Sequence, residues 1–131
     1  MVLYTKSIHK KPEKSDGYRI CIMRFIRPYY KYDEWIPNVA PPKELLKAYR
    51  CKEIDWDEFV QRYSIGVLSI QTELIKKISD LALEKDVTIL CSEKTSERCH
   101  RRLLANECKK HSPKLEVVLD GYKPSKQGKL M

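Results

Sequence analysis

The spacing of apolar residues predicts a chain that alternates between strands and helices. Residues 2–8 alternate in part between apolar and polar side chains, which favours a short strand. Residues 10–17 are polar and end in Asp-Gly, and this composition predicts a loop. Residues 18–26 are apolar and β-branched, with polar side chains toward the edges of the run. They therefore predict a buried strand.

Three- and four-residue spacings in the middle of the chain predict helices. Leu45, Leu46 and Tyr49 share one face of a short helix that begins after Pro41 and Pro42. The longest periodic segment covers residues 70–85, where apolar side chains recur at helical spacing. This segment predicts an amphipathic helix.

A further helix is predicted between these two. Asp55 and Glu58 have the spacing of a capping box, which satisfies the free backbone amides at a helix start. Residues 64–69, which contain Gly66, are expected to break the helical pattern. The apolar stripe that this helix would bury consists of Trp56, Phe59, Val60 and Tyr63.

The last third of the chain repeats the alternation. Residues 87–91 predict an interior strand, and Thr95 can cap a following helix whose inner face carries Leu104 and Cys108. Residues 115–119 predict a final strand. This order predicts an α/β fold, a single-domain three-layer Rossmann-like sandwich with a largely parallel sheet. The domain is predicted to span residues 1–120, followed by a basic, flexible tail at 121–131.

Composition bears on the partners and the compartment. The net charge is +8, which favours anionic partners such as nucleic acid. No run approaches the roughly 20 apolar residues of a membrane span, and the first residues lack the apolar core of a secretory signal. We expect a cytoplasmic protein without a membrane partner. Its five cysteines are an odd number, so at least one thiol is unpaired within a monomer.

Reactive side chains concentrate between residues 88 and 102. Cys91 ends a predicted strand, and Cys99 lies in the first turns of the next predicted helix. In open parallel sheets, ligands bind beyond the carboxyl ends of strands. Helical spacing puts His100 and Arg101 beside the buried face and turns Arg102 away from the sheet.

The predicted catalytic residues are Cys91, Glu93, Cys99 and His100. A thiol near a helix amino end and a cation can ionise readily, although the alternative for each cysteine is a small buried hydrophobic residue. Glu93 is a candidate general base or a partner that fixes His100 or an arginine, and the alternative is a solvated loop carboxylate.

Anion binding has a separate set of candidates. A helix amino end attracts anions, and a guanidinium group matches a phosphate or carboxylate. We predict that Arg101 and Arg24 bind the anion, with Arg102 as an outer contact.

Metal binding is the weaker alternative. Cys91, Cys99, His100 and Cys108 include residue types that bind zinc, but no metal site is predicted and no cofactor is expected. The cysteines lack the close C-x-x-C spacing of a zinc site, and Cys99 and Cys108 would lie about 13 Å apart along one helix. A disulfide between Cys91 and Cys99 is geometrically conceivable.

An aromatic and basic segment supplies candidate nucleic-acid contacts. Tyr29, Tyr30 and Lys31 combine rings that can stack on bases with a charge that neutralises phosphate. The alternative is that the rings pack on the core or on a homodimer interface.

Several of these motifs together resemble a known family. Cys91-x-Glu93 and Cys99-His100-Arg101 resemble the C-x-E and C-H-R signature of the family catalogued as domain of unknown function 488 (DUF488). The amino-terminal part is similar to the YeaO-like branch of that family. The segments that agree in order are Asp16 to Ile20, Arg24, Trp35, Ala40 to Leu46, Tyr49, Trp56, Phe59 and Tyr63. The resemblance implies a Rossmann-like α/β sandwich with its site at the C-x-E and C-H-R residues, and it implies no agreed activity.

Three functions fit these observations. The first is a protein that binds a phosphate-bearing ligand, nucleotide or nucleic acid, and acts on it through the residues named above. The second is a non-catalytic basic module that binds DNA or RNA, and the third is a thiol-based redox protein.

Overall fold

A five-stranded sheet is the centre of the fold. The computed structural model describes residues 1–93 and 97–120. The strands are β1 (Val2–Ser7), β2 (Tyr18–Cys21), β3 (Glu34–Trp35), β4 (Val87–Cys91) and β5 (Glu116–Val118). The α-helices are α1 (Lys43–Arg50), α2 (Trp56–Tyr63), α3 (Thr72–Glu84) and α4 (His100–His111).

All the strand pairs in this sheet are parallel. The strand order is β3-β2-β4-β1-β5, so β4 lies at the centre with β1 and β2 on its two sides. Every residue of β4 is buried, as expected for an interior strand. The predicted α/β class and parallel sheet are confirmed.

One face of the sheet is covered by helices. Helices α3 and α4 pack against each other and against β1. Leu3 and Ile89 of the sheet belong to one apolar cluster with Ile78 of α3 and Leu104 of α4, and all four side chains are fully buried. The spacing of apolar residues in α3 and α4 therefore identified the buried sides of both helices correctly.

The opposite face is polar and is covered by connecting segments. Lys6 of β1 binds Asp16 at 2.9 Å, and Arg19 of β2 binds the same carboxylate. The Thr88 hydroxyl donates to the backbone carbonyl of Asp16 at 2.7 Å, and Lys6 also reaches the Lys11 carbonyl. In the described chain, the connection between β1 and β2 thus forms part of the third layer.

The predicted strand at 18–26 is too long. It ends at Cys21, and the Ile22 amide makes one further bond to the sheet, to the Leu90 carbonyl at 3.0 Å. The chain then leaves the sheet because its next polar groups have other partners. Trp35 Nε1 donates to the Met23 carbonyl at 2.7 Å, and Arg24 binds the carbonyls of two residues farther along the chain.

The predicted break at residues 64–69 coincides with the end of the α-helical pattern at Tyr63, but it is a change of helix type and not a loop. The chain continues from α2 into a π-helical turn, Ser64–Leu68, in which the Ser69 amide donates to the Ser64 carbonyl at 2.9 Å. Burial of Val67 and Leu68 in the core favours this continuation. The helix predicted at 70–85 is confirmed as α3.

The boundaries of the final helix are set by tertiary structure. Helix α4 begins at His100, with Cys99 at its N-cap. Thr95, the predicted cap, and the predicted tail at 121–131 lie outside the described residues. None of the helices in the described ranges combines the length and apolar character needed to cross a membrane.

Candidate thiol and imidazole site

Three predicted catalytic residues meet at one end of the sheet. Cys91 is the last residue of β4, and Cys99 and His100 are the N-cap and first residue of α4. Their sulfur and ring nitrogen atoms all lie within 4.8 Å of one another, and all three residues are buried. The carboxyl end of the strand and the amino end of the helix meet here, as the α/β topology predicts.

The Cys91 thiol is surrounded by groups that favour its thiolate. A hydrogen bond from Cys99 lowers the pKa of Cys91 most strongly, and burial acts in the opposite direction. The positive charge of Arg101 and the backbone amides of Ser92 and Glu93 lower it further. The pKa of Cys91 therefore lies below the ordinary value of a thiol.

Cys99 has the opposite character. Burial raises the pKa of Cys99, and its contact with Cys91 raises it further. Arg101 Nη1 donates to Cys99 Sγ at 3.3 Å. Both cysteines are free thiols, so the geometrically conceivable disulfide is not formed in this structure. The pair therefore consists of one thiol that ionises readily and one that retains its proton and donates it in a hydrogen bond.

His100 is held in one orientation by the backbone. Its Nε2 lies 2.8 Å from the Ile22 carbonyl oxygen, which can only accept a hydrogen bond, so Nε2 carries the proton. Cys91 Sγ lies 3.7 Å from Nδ1 and 3.8 Å from Nε2. The edge of the ring contacts Tyr63 with centroids 5.7 Å apart. In a neutral ring, the free lone pair is therefore on Nδ1.

Arg101 points inward, as predicted, and its guanidinium group is fully buried. Two of its nitrogens bind the Asp120 carboxylate, Nε at 3.1 Å and Nη2 at 2.9 Å. Asp120 also accepts from the Thr5 hydroxyl at 2.6 Å. Arg101 therefore lies behind the thiols and joins α4 to the segment after β5.

Sequence reasoning missed Asp120 as a site residue. It lies 19 positions from Arg101, and no local spacing pairs the two. Its position two residues beyond the last strand was an available signal, because the carboxyl ends of parallel strands meet at one edge of the sheet.

The other two predicted arginines are held by backbone carbonyls. Arg102 is half-buried, binds the Glu97 carbonyl at 2.7 and 2.9 Å, and lies 5.8 Å from the centre of the Trp56 ring. Arg24 binds the carbonyls of Pro41 at 2.7 Å and Ala40 at 3.0 Å. Both side chains therefore fix neighbouring segments.

A cavity of about 960 Å³ opens directly over the thiol pair and His100. We call it the cleft. Glu93 is exposed on its wall. Its lining residues are Met23, Arg24, Phe25, Ile26, Arg27, Tyr30, Lys43, Leu46, Lys47, Tyr49, Arg50, Cys51, Trp56, Phe59, Cys91, Ser92, Glu93, Arg98, Cys99 and His100.

The predicted nucleic-acid contacts lie at the edge of this cleft. Tyr30 lines it, and Tyr29 packs edge-to-face on Tyr30 with centroids 5.2 Å apart. Tyr29 is 68% exposed, so the described structure does not bury its ring in the core. Lys31 is exposed beside them, and its carbonyl accepts from Arg19.

A row of aromatic rings leads from the cleft to His100, and only part of it was expected from sequence. Trp56 and Phe59 stack with centroids 5.1 Å apart, and Tyr49 lies against both. Tyr63 continues the row to His100 and donates its hydroxyl to the Val39 carbonyl at 2.7 Å. The helical stripe identified these rings as buried, but their route to His100 is a tertiary feature.

Comparison with known proteins identifies the family. The model of the active DUF488-N3 subclade, DUF488-N3a, matches residues 3–112. The chain belongs to the DUF488 family. The uncharacterized protein YeaO of Escherichia coli (strain K12) is 30% identical to this DUF488 protein over 111 residues, which cover 81% of this chain and 96% of YeaO. The expected family and the similarity to YeaO are confirmed. No solved structure matches the chain significantly.

Proposed function

We propose that this DUF488 protein binds a phosphate-bearing ligand, a nucleotide or the end of a nucleic acid, in the cleft. Cys91, Cys99 and His100 then carry or support chemistry on the bound ligand. One observation carries the proposal: the cluster of thiols and imidazole lies at the floor of a cleft whose wall is strongly cationic.

The charge of the wall favours an anion. Among its described residues, one carboxylate, Glu93, faces a set of arginines and lysines. Guanidinium and ammonium groups bind phosphate oxygens through charge-assisted hydrogen bonds, and a concave site concentrates their field. The cationic residues are Arg24, Arg27, Lys43, Lys47, Arg50 and Arg98.

Aromatic side chains on the same wall favour a ligand that also carries a flat ring. Phe25 is 64% exposed, and Tyr30 and Trp56 are half-buried in the lining. Rings of this kind stack on nucleobases while the surrounding cations neutralise phosphate. Tyr29 and Lys31 extend the same combination beyond the edge of the cleft, which suits a ligand longer than one nucleotide.

Arg101, Asp120 and Glu93 have different roles in this proposal. Arg101 supplies positive charge behind the sulfurs while Asp120 holds it in place. Arg101 was predicted to bind the anion itself, but it is fully buried and pairs with Asp120, so we propose that its charge acts on the thiols and not on the ligand directly. Glu93 lies on the wall, where a general base could take a proton from the ligand or from water.

The proposal is tested by titrating the full chain with adenosine monophosphate, with adenosine and with a short single-stranded oligonucleotide in a calorimeter. We expect the monophosphate to bind at least about tenfold more tightly than adenosine, because a charged hydrogen bond contributes roughly 1.5–3 kcal/mol. Binding of the oligonucleotide should weaken steeply as salt increases.

Two exposed lysines provide matched variants. Lys47→Gln removes a charge from the cleft wall, whereas Lys114→Gln removes one from the turn before β5, outside the cleft. We expect only Lys47→Gln to weaken binding of the monophosphate. Equal binding of adenosine and its monophosphate, or equal loss in both variants, would overturn the proposal.

A further inference from the structure

The floor of the cleft has the donor set of a zinc site. The Sγ atoms of Cys91 and Cys99 and a ring nitrogen of His100 lie within 4.8 Å of one another. Two thiolates and an imidazole are ligands that zinc and similar soft divalent cations prefer, and they occur with an open fourth position in catalytic sites. The residue types were recognisable in the sequence, but their spacing argued against a site, because eight positions separate the two cysteines.

The distances are close to those of a tetrahedral ion. Bonds of about 2.3 Å to sulfur and 2.1 Å to nitrogen put a sulfur and a nitrogen about 3.6 Å apart, and two sulfurs about 3.8 Å apart. Cys91 Sγ and His100 Nδ1 already lie 3.7 Å apart. The other pairs among the two sulfurs and the ring nitrogen are separated by at most 4.8 Å. Bringing the two sulfurs and the ring nitrogen to these separations therefore requires movements of about 1 Å, including rotation of the Cys91 side chain toward the Nδ1 lone pair.

The surrounding hydrogen bonds are those that metal ligands require. The Nε2 proton of His100 is donated to the Ile22 carbonyl at 2.8 Å, which leaves the Nδ1 lone pair available to a metal ion. Arg101 donates to Cys99 Sγ at 3.3 Å, and the amides that follow Cys91 donate to its sulfur. These N–H groups would offset part of the negative charge that both sulfurs carry once they bind a metal ion, and both cysteines line the cleft.

We propose that Cys91, Cys99 and His100 bind a single zinc-like divalent cation whose fourth position opens into the cleft. There the cation can take a water molecule or a phosphate oxygen of the ligand proposed above, so its place in catalysis rests on that function. The binding site itself does not depend on it, since all three ligands come from the described chain.

The first test uses the wild-type protein, reduced and stripped of metal. Titration with Co²⁺ should produce thiolate-to-cobalt charge-transfer absorption that saturates at one equivalent. Zn²⁺ at one equivalent should slow the alkylation of Cys91 and Cys99, measured by mass spectrometry of peptides, while the exposed Cys51 continues to react. Saturation without charge transfer, or equal alkylation of all three thiols with and without zinc, would overturn the proposal.

Variants then assign the ligands. Cys91→Ser and Cys99→Ser should each halve the charge-transfer intensity. Each should also weaken zinc affinity by more than the roughly 10- to 100-fold that results from loss of a residue that only hydrogen-bonds to a metal ligand. Cys108→Ala removes a buried thiol from the same helix, away from the cleft, and should leave zinc binding unchanged. The same loss in Cys108→Ala as in Cys91→Ser would contradict the assignment.

The outcome is separable from that of the proposed function. Adenosine monophosphate is titrated into the metal-free and the zinc-loaded protein. Binding of the nucleotide without any zinc binding refutes the metal site and supports the proposed function. Zinc binding without nucleotide binding supports the metal site and refutes the proposed function.

Discussion

Arg101 has the largest fully buried side chain in the described part of the protein, and its charge is balanced at short range. Asp120 binds it through two nitrogens, and Cys99 accepts from a third. A buried cation that loses its partner, or a buried carboxylate that loses its cation, is strongly destabilising. Arg101 is therefore a structural residue as well as part of the site.

Replacement of Arg101 should reduce stability. We expect Arg101→Ala to lower the free energy of unfolding by about 3–5 kcal/mol, because it breaks the ion pair between the buried guanidinium group and Asp120. The adjacent Arg102→Ala should cost about 1 kcal/mol, since Arg102 is half-buried and lies over Trp56. Urea unfolding of both variants measures the difference, and equal losses would contradict a special role for the buried ion pair.

Side-chain directions in α4 could be predicted, but side-chain partners could not. The spacing of Leu104 and Cys108 fixed which side of the helix is buried, and His100 and Arg101 follow from it. The partners of these two residues, Asp120 and the Ile22 carbonyl, lie 19 and 78 positions away. No periodicity links groups over such separations.

At the scale of elements, Gly17 controls the entry to β2. Its φ is +67°, and a Cβ atom there would lie 2.2 Å from the carbonyl oxygen of Asp86, the residue before β4. The Tyr18 amide donates to that same carbonyl at 2.9 Å. The close approach of the two backbones requires glycine, so the Asp-Gly signal in the sequence marks a strand junction as well as a turn.

Gly17 and Gly66, the two glycines within the described residues, differ in environment and make a matched pair for substitution. Gly17→Ala should destabilise the protein by more than about 2 kcal/mol, through a positive φ and a backbone clash. Gly66→Ala should be neutral or stabilising by up to about 1 kcal/mol, because Gly66 lies in a helical turn with open space around it. Thermal unfolding distinguishes them, and a destabilising Gly66→Ala would contradict this account.

Element boundaries depended on contacts that the sequence does not display. The run at 18–26 is apolar throughout, yet the sheet ends at Cys21 because Met23 and Arg24 bind groups outside it. Strand β3 is two residues long and lies in a Pro-rich segment without periodicity, so no local pattern predicts it. Its pairing with β2 is visible only in the folded chain.

At the scale of the whole molecule, an ion cluster of Lys6, Asp16 and Arg19 covers the face of the sheet opposite α3 and α4. Burial alone would raise the pKa of Asp16, but hydrogen bonds from Lys6, the Glu13 amide and Arg19 outweigh it, and the pKa lies below 3.8. A carboxylate with a depressed pKa stabilises the folded state above its unfolded pKa. That stabilisation disappears as the pH falls through the folded pKa.

Acid should therefore remove the contribution of Asp16. At neutral pH we expect Asp16→Asn to cost about 3 kcal/mol, because it removes the carboxylate shared by the buried Lys6 and Arg19, although Lys6 keeps its bond to Glu13. The gap between wild type and variant should shrink below about pH 4. Asp80→Asn is the control, since its pair with Lys76 is exposed and should contribute little to stability at any pH. A gap that does not change with pH in urea unfolding would contradict the assignment.

The sequence by itself determined the α/β class, the sides of α3 and α4 that are buried, and the strand–loop–helix position of Cys91 and His100. These properties follow from local periodicity and from the common geometry of parallel sheets. Tertiary structure alone decided the partners of Arg101 and His100, the cleft over the thiols, and the convergence of two cysteines and a histidine within 4.8 Å. Such features depend on contacts between residues far apart in the chain, which local patterns do not encode.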